Sequence, residues 1–180
     1  ALLSRFEIDN LKNAIRLYFD RTIRGRSIES SRHYVLYEPI IHEIPIDLIL
    51  QAESFDAIAG LCANTPYGEI IRKYRQKVEL EGSLFRMEIG FDHYYFSSLL
   101  RAVGQLSRQD RSLALRLIGV VIDLENISRI LRFQKLYNLP LEAMLPTMIP
   151  GGGHLTRPLI EELHRGQSAA PILQEIGKEN

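Results

Sequence analysis

Asp9-Asn10-Leu11-Lys12-Asn13-Ala14-Ile15-Arg16 and Glu125-Asn126-Ile127-Ser128-Arg129-Ile130-Leu131-Arg132 are two copies of one pattern. Acid, Asn, aliphatic, aliphatic and Arg recur in register: Asn126 stands 116 positions after Asn10, and Arg132 stands 116 after Arg16. Duplication is the simplest account. A duplicated helical pattern that carries a fixed polar pair but no nucleophile or ligand cluster describes a modular scaffold rather than an active site.

The sequence around the copies keeps helical spacing. Leu84, Glu88, Ile89, Asp92, Phe96, Leu99 and Val103 recur at three and four, and so do Leu113, Leu117, Val120, Leu124, Ile127 and Leu131. Each run predicts an amphipathic helix of about 30 Å at about 1.5 Å per residue. The break Ser107-Arg108-Gln109-Asp110 between them is short enough for antiparallel neighbours. Ser54 before Phe55 and Thr65 before Pro66 have the chemistry of helix starts. Leu139-Pro140-Leu141-Glu142 and Pro150-Gly151-Gly152-Gly153 mark turns. No sustained strand-type alternation occurs, so the expected fold is all-α: antiparallel helical bundles in pseudo-repeat.

The chain changes character at the charged, Gly-containing stretch from Lys77 to Gly82. Residues 1–79 are then the remainder of one helical repeat and residues 80–180 most of the next. A comparable tail follows each motif: Pro39-Ile40-Ile41-His42-Glu43 in the first repeat, and Ile149-Pro150-Gly151-Gly152-Gly153-His154 in the second. Starting at Ala1 on the approach to a helix and stopping at Gly177-Lys178-Glu179-Asn180, the sequence reads as a fragment of a longer protein.

Composition narrows the function classes. With 180 residues, 46% hydrophobic and 24% charged, the chain can bury a sizeable core. Its 22 basic and 22 acidic side chains cancel, leaving no global field to recruit nucleic acid or anionic lipid. A single cysteine, Cys62, excludes an intramolecular disulfide framework and a cysteine-rich zinc site, and fits the reducing interior of a cell. The longest apolar run, Leu117-Ile118-Gly119-Val120-Val121-Ile122, is far short of the roughly 18–20 residues that cross a bilayer. There is no signal-peptide pattern.

Glu88 and Asp92 are the most suggestive acids, since both fall on an apolar helical stripe, one turn apart. A pair of carboxylates on one face could serve acid–base chemistry or hold a metal. The plainer expectation is a buried ion pair with Arg16 or Arg132, which recur at fixed places. On that reading, Arg132→Ala costs about 3–5 kcal/mol. Asn10 and Asn126 lie within apolar helical runs, where Asn is a poor helix former, so each should hydrogen-bond to a neighbouring helix or loop. Glu161 to His164 is one Glu-x-x-His, half of what a di-iron bundle uses, and no second copy exists. His33, His42, His93 and His154 form no ligand spacing. Gly151-Gly152-Gly153 lacks the following Lys-Ser or Lys-Thr of a phosphate loop. Arg21, Arg24, Arg26 and Arg32 form a basic cluster diluted by Asp20 and Glu29. No catalytic, cofactor-binding or metal-binding residue is expected.

Taken together, Asp9-Asn10-Leu11-Lys12 with Ile15-Arg16, Glu88-Ile89-Gly90-Phe91-Asp92-His93-Tyr94-Tyr95-Phe96, Ile122-Asp123-Leu124-Glu125-Asn126-Ile127 with Leu131-Arg132, the turn Ile149-Pro150-Gly151-Gly152, and Thr65-Pro66-Tyr67 resemble a known family. It is the C subunit of V-type and archaeal-type ATPases and ATP synthases, called the d subunit in eukaryotes. The structural motif carried over comprises Asp9, Asn10, Arg16, Glu88, Asp92, Glu125, Asn126 and Arg132. The resemblance implies a funnel of pseudo-repeated helical bundles without an active site. It implies a cytoplasmic location on the membrane-embedded proteolipid ring, receipt of the central rotor axle, and torque transmission for ion transport.

Two readings of other classes stand beside it. One is a general helical interaction scaffold, although such arrays repeat every 33 to about 47 residues and no such period occurs here. The other is a helical-bundle metalloenzyme acting through Glu88, Asp92 and His164.

Overall fold

The structure is a computed structural model that describes residues 2–134, 140–166 and 168–178. The fold is all-α, and no strand occurs among the described residues. Leu139 of the expected turn and the terminal Ala1, Glu179 and Asn180 lie outside those residues. The chain divides into two compact units, residues 1–99 and 100–180.

The first unit contains α1 (Leu3–Thr22), a 3₁₀ turn at Glu29–Tyr34, α2 (Ile46–Gln51), α3 (Phe55–Leu61), α4 (Tyr67–Glu81) and most of α5 (Phe85–Val103). The chain starts α3 at Ser54, whose hydroxyl accepts from the Ala57 N–H at 3.1 Å. At the entry to α4, the Thr65 hydroxyl accepts from the Tyr67 N–H at 3.2 Å and donates to the Cys62 carbonyl at 2.8 Å. Helices α1 and α2, α2 and α3, and α3 and α4 pack in succession. They bury Ile8, Leu11, Ile15, Tyr18 and Phe19 of α1 with Ile49, Phe55, Ile58, Tyr67 and Ile71. At about 1.5–3 kcal/mol for each fully buried large apolar side chain, this core is the main stabilising term. Tyr18 meets Phe55 edge-on at 5.1 Å, and Tyr67 meets Phe91 at 6.2 Å. Helix α5 approaches α4 so closely that a Cβ on Gly90 would lie 2.4 Å from the Tyr74 ring, so only glycine fits there without moving the ring.

The second unit contains α6 (Arg108–Arg132), α7 (Leu141–Met144) continuing into a 3₁₀ turn at Leu145–Thr147, α8 (Arg157–His164) and α9 (Ala170–Lys178). Ser107 caps α6: its hydroxyl accepts from the Asp110 N–H at 3.3 Å and donates to the Asp110 carboxylate at 2.7 Å. Helix α6 packs on α8, around a core of Ile122, Ile127, Ile130, Phe133, Met144, Ile149 and Leu163.

Two expectations change. On α5, Ile89, Phe96, Leu99 and Val103 are buried as their spacing predicts. On α6, Ile127 is buried as expected and Val120 and Leu131 are half-buried, but Leu113, Leu117 and Leu124 are exposed, and the inward face is set by Ile122, Asp123, Asn126 and Ile130 together with Ile127. Rotation about the helix axis explains this: Asp123 and Asn126 need protein partners once buried, and satisfying them turns the leucine stripe outward. Arg132 lies on the outward side and is exposed, so it is not the cation of a buried pair. The buried arginine of this helix is Arg129, whose Nη1 donates to the Thr147 carbonyl at 3.1 Å.

Candidate functional site

The two copies of the opening pattern build two similar clasps, each fastening a loop to a helix within its own unit. In the first, the Asn10 side-chain amide donates to the Leu36 carbonyl at 2.8 Å and accepts from the Leu36 N–H at 2.7 Å. In the second, the Asn126 amide donates to the Ile149 carbonyl at 2.9 Å and accepts from the Ile149 N–H at 2.9 Å. An Asn amide is well suited to this, because it presents an N–H donor and a C=O acceptor side by side, matching the C=O and N–H of one residue's backbone.

One turn before each Asn sits a buried carboxylate. Glu7 accepts from the N–H groups of Ile41 and His42 at 2.8 and 2.6 Å and from the Tyr67 hydroxyl at 2.7 Å, with His42 Nδ1 at 2.7 Å. Asp123 accepts from the N–H groups of Gly153, His154 and Leu155 at 3.0, 2.8 and 3.3 Å, with His154 Nδ1 at 2.9 Å. Burial alone would raise the Glu7 carboxyl, but the bonds from His42, Tyr67 and Ile41 favour the charged form and hold it below the ordinary range.

The second loop fits its acid closely. Asp has the shorter side chain, and it is met by glycine: a Cβ on Gly152 would stand 2.0 Å from Asp123 Oδ1. Gly151 beside it has φ 101°, in the region that glycine alone enters readily. Glu7 reaches one methylene further, and the corresponding stretch of its loop carries Ile40 and Ile41.

Each clasp holds a carboxylate beside an imidazole, the arrangement that orients a general base. The carboxylates are filled instead by backbone N–H groups. The nearby thiol, Cys62, is fully buried and pushed up to about 12 by burial and then by the Glu7 charge, so it stays protonated and inert. The geometry is that of a clamp.

Among the residues singled out from sequence, Glu88 meets Arg16, whose Nε donates at 2.7 Å, on a partly exposed surface. Asp92 pairs with Lys12 and lies 3.7 Å from Arg5. Lys12 is buried, making this the more enclosed of the two pairs. Its cation is thus a lysine that pattern reading passed over in favour of Arg16. Asp9 pairs with Arg5 at 3.1 Å, and Glu125 is half-buried. Neither belongs to the clasps. The acids that do, Glu7 and Asp123, are themselves 116 positions apart and precede each Asn by three, a signal present in the sequence.

The remaining chemical candidates are occupied by ordinary partners. Glu161 pairs with Arg157 at 3.2 Å and Arg165 at 3.4 Å. Among the described residues no group of three His, Cys, Asp or Glu side chains could hold a metal ion. In the basic cluster, Arg24 meets Asp20 at 2.9 Å, Arg32 meets Glu29 at 3.4 Å, and Arg21 donates to the Ala52 carbonyl at 2.7 Å. No described helix is long and apolar enough to cross a membrane.

Comparison with known proteins gives one consistent result. The family model described as ATP synthase (C/AC39) subunit matches residues 1–180. The C subunit of an A-type ATP synthase from Methanosarcina barkeri is 28% identical over 160 residues, covering 84% of this chain and 40% of the relative. Its counterpart from Pyrococcus horikoshii is 28% identical over 131 residues, 73% of this chain and 34% of the relative. That from Methanosphaera stadtmanae is 23% identical over 175 residues, 97% of this chain and 44% of the relative. The chain therefore spans less than half the length of these relatives. No solved structure matches.

Proposed function

Because the chain belongs to the ATP synthase (C/AC39) subunit family, we propose that it serves as a non-catalytic central-stalk adaptor of a rotary A-type or V-type ATPase or ATP synthase. In this role it joins the rotor axle to the membrane proteolipid ring and passes torque between them. It has no active site of its own and works on the cytoplasmic face of the membrane, held there by the complex. Residues 1–79 are the remainder of one helical repeat and 80–180 most of the next, set in a funnel of such bundles.

The observation that carries this reading is the match of the family model to all 180 residues, with the relatives named as C subunits of A-type ATP synthases. The clasps support it. A part that carries torque must resist sliding of its helices and loops, and buried, directional polar contacts penalise slippage even where their net stabilisation is small. Each clasp includes such a buried contact, Tyr67 to Glu7 in the first and Asn126 to Ile149 in the second, and the part-buried Lys12–Asp92 pair adds a third directional contact.

The test is co-purification. The tagged parent protein is taken from membranes solubilised in mild detergent, and its companions are identified. Recovery of the proteolipid ring and axle subunits supports the adaptor role. A protein that leaves the membrane fraction alone, with bound metal, returns the metalloenzyme reading.

A further inference from the structure

Among the described residues, one face of α6 has no cover although its counterpart on α1 does. Shifting by the 116-residue offset maps Arg5, Ile8, Lys12, Ile15 and Arg16 of α1 onto Val121, Leu124, Ser128, Leu131 and Arg132 of α6. In the first unit Ile8, Lys12 and Ile15 are buried, and α5 supplies the acids: Asp92 to Lys12 and Arg5, Glu88 to Arg16. In the second, Val121 and Leu124 are 47% and 43% exposed, Ser128 and Arg132 are exposed, and Leu131 is half-buried. Leu113 and Leu117, at 55% and 52%, continue the same line toward the start of the helix. Among the described residues Arg132 makes no ion pair, whereas Arg16 makes one.

An apolar line of this kind, from Leu113 to Leu131, extends about 27 Å at about 1.5 Å per residue, and such stripes mark packing surfaces rather than ordinary solvent faces. We propose that it is covered by an amphipathic helix of the same protein, from polypeptide outside these 180 residues, standing to α6 as α5 stands to α1. The proposal rests on the repeated-unit reading above. Applied to Phe85–Val103, the offset of 116 puts that helix near residues 201–219, and the relatives, of which this chain covers 34–44%, are long enough to contain one.

The two faces also define the occupant's chemistry. A carboxylate should stand opposite Arg132, as Glu88 does opposite Arg16. Where Asp92 faces Lys12, the new helix should be uncharged, because Ser128 replaces the lysine and an acid there would be buried without a partner. The rest of its contact face is apolar, to meet Leu113, Leu117, Val121 and Leu124.

Single-cysteine labelling tests this: Cys62 is fully buried and its thiol stays protonated, and any cysteine of the parent protein outside these 180 residues is first replaced by serine. Leu117→Cys and Leu124→Cys are placed in the 180-residue chain and in the parent protein, each purified free of other subunits, and maleimide labelling rates are measured. Both sites should label rapidly in the short chain and at least ten-fold more slowly in the parent protein. Arg132→Glu, added to the parent Leu124→Cys variant, should restore most of the rate. Equal rates in the two proteins would overturn the proposal. So would protection that arises only in the assembled complex, which assigns the face to another subunit, or protection in the short chain that grows with its concentration, which assigns it to a second copy. Co-purification with ring and axle can succeed or fail independently of any of these results.

Discussion

Replacing each clasp asparagine with alanine removes the same two hydrogen bonds but should cost different amounts. Asn126→Ala leaves the N–H and C=O of Ile149 without partners, and Ile149 is 2% exposed, so water cannot readily replace the amide. An orphaned buried polar group costs about 1–3 kcal/mol, so the two together place the substitution at about 2–6 kcal/mol. Asn10→Ala removes bonds of equal length to Leu36, but Leu36 is 57% exposed and its backbone groups can turn to water. There only the net worth of each bond is lost, about 0.5–1.5 kcal/mol, for a total of about 1–3 kcal/mol. The gain in helix propensity on going from Asn to Ala is the same at both sites and cancels in the difference. Urea unfolding followed by circular dichroism gives the loss for each variant at constant slope. Amide hydrogen exchange, resolved to residues 1–99 and 100–180, separates the two units. An Asn10→Ala loss as large as that of Asn126→Ala would refute the argument that solvent access sets the cost.

Acid should weaken the first clasp specifically. The Glu7 carboxyl is held below its ordinary value of 4.5 in the folded chain, so its contribution is fully present above that value and is lost as pH falls through the lowered one; Glu7→Gln should flatten this part of a stability–pH profile. Gly152→Ala pushes a methyl to within 2.0 Å of the Asp123 carboxylate and should cost about 1–3 kcal/mol, read as a lowered Tm. Asp92→Ala strands the buried Lys12 and should cost about 3 kcal/mol, whereas Arg132→Ala in the 180-residue chain should change stability by no more than about 0.5 kcal/mol; similar losses at the two sites in chemical denaturation would contradict this assignment.

The helical class was legible because spacing of apolar residues and cap chemistry are local. Ser54, Thr65 and Ser107 each sit at a helix start and use their hydroxyls there. The two asparagines stood out for an equally local reason, their poor helix propensity amid aliphatic neighbours. The clasp acids were harder to see. Glu7 and Asp123 differ in residue type, while Asp9 and Glu125, adjacent to the asparagines, drew the pattern to themselves. The phase of α6 was hidden for a different reason. Its leucines satisfy helical spacing as well as its buried residues do, and only the tertiary demand of Asp123 and Asn126 decides which side faces in. Lys12 carries no local signal of its role, because a lysine in a helix is usually solvated and its burial depends on an acid 80 residues away.

In the second clasp acid and loop residue are sterically one unit, since a Cβ at position 152 would stand 2.0 Å from Asp123 Oδ1. Lengthening Asp123 alone drives a carboxylate into the Gly152 backbone, and enlarging Gly152 alone drives a methyl into the carboxylate. A double-mutant cycle across positions 123 and 152 should therefore show strong epistasis, where sites outside the clasp simply add.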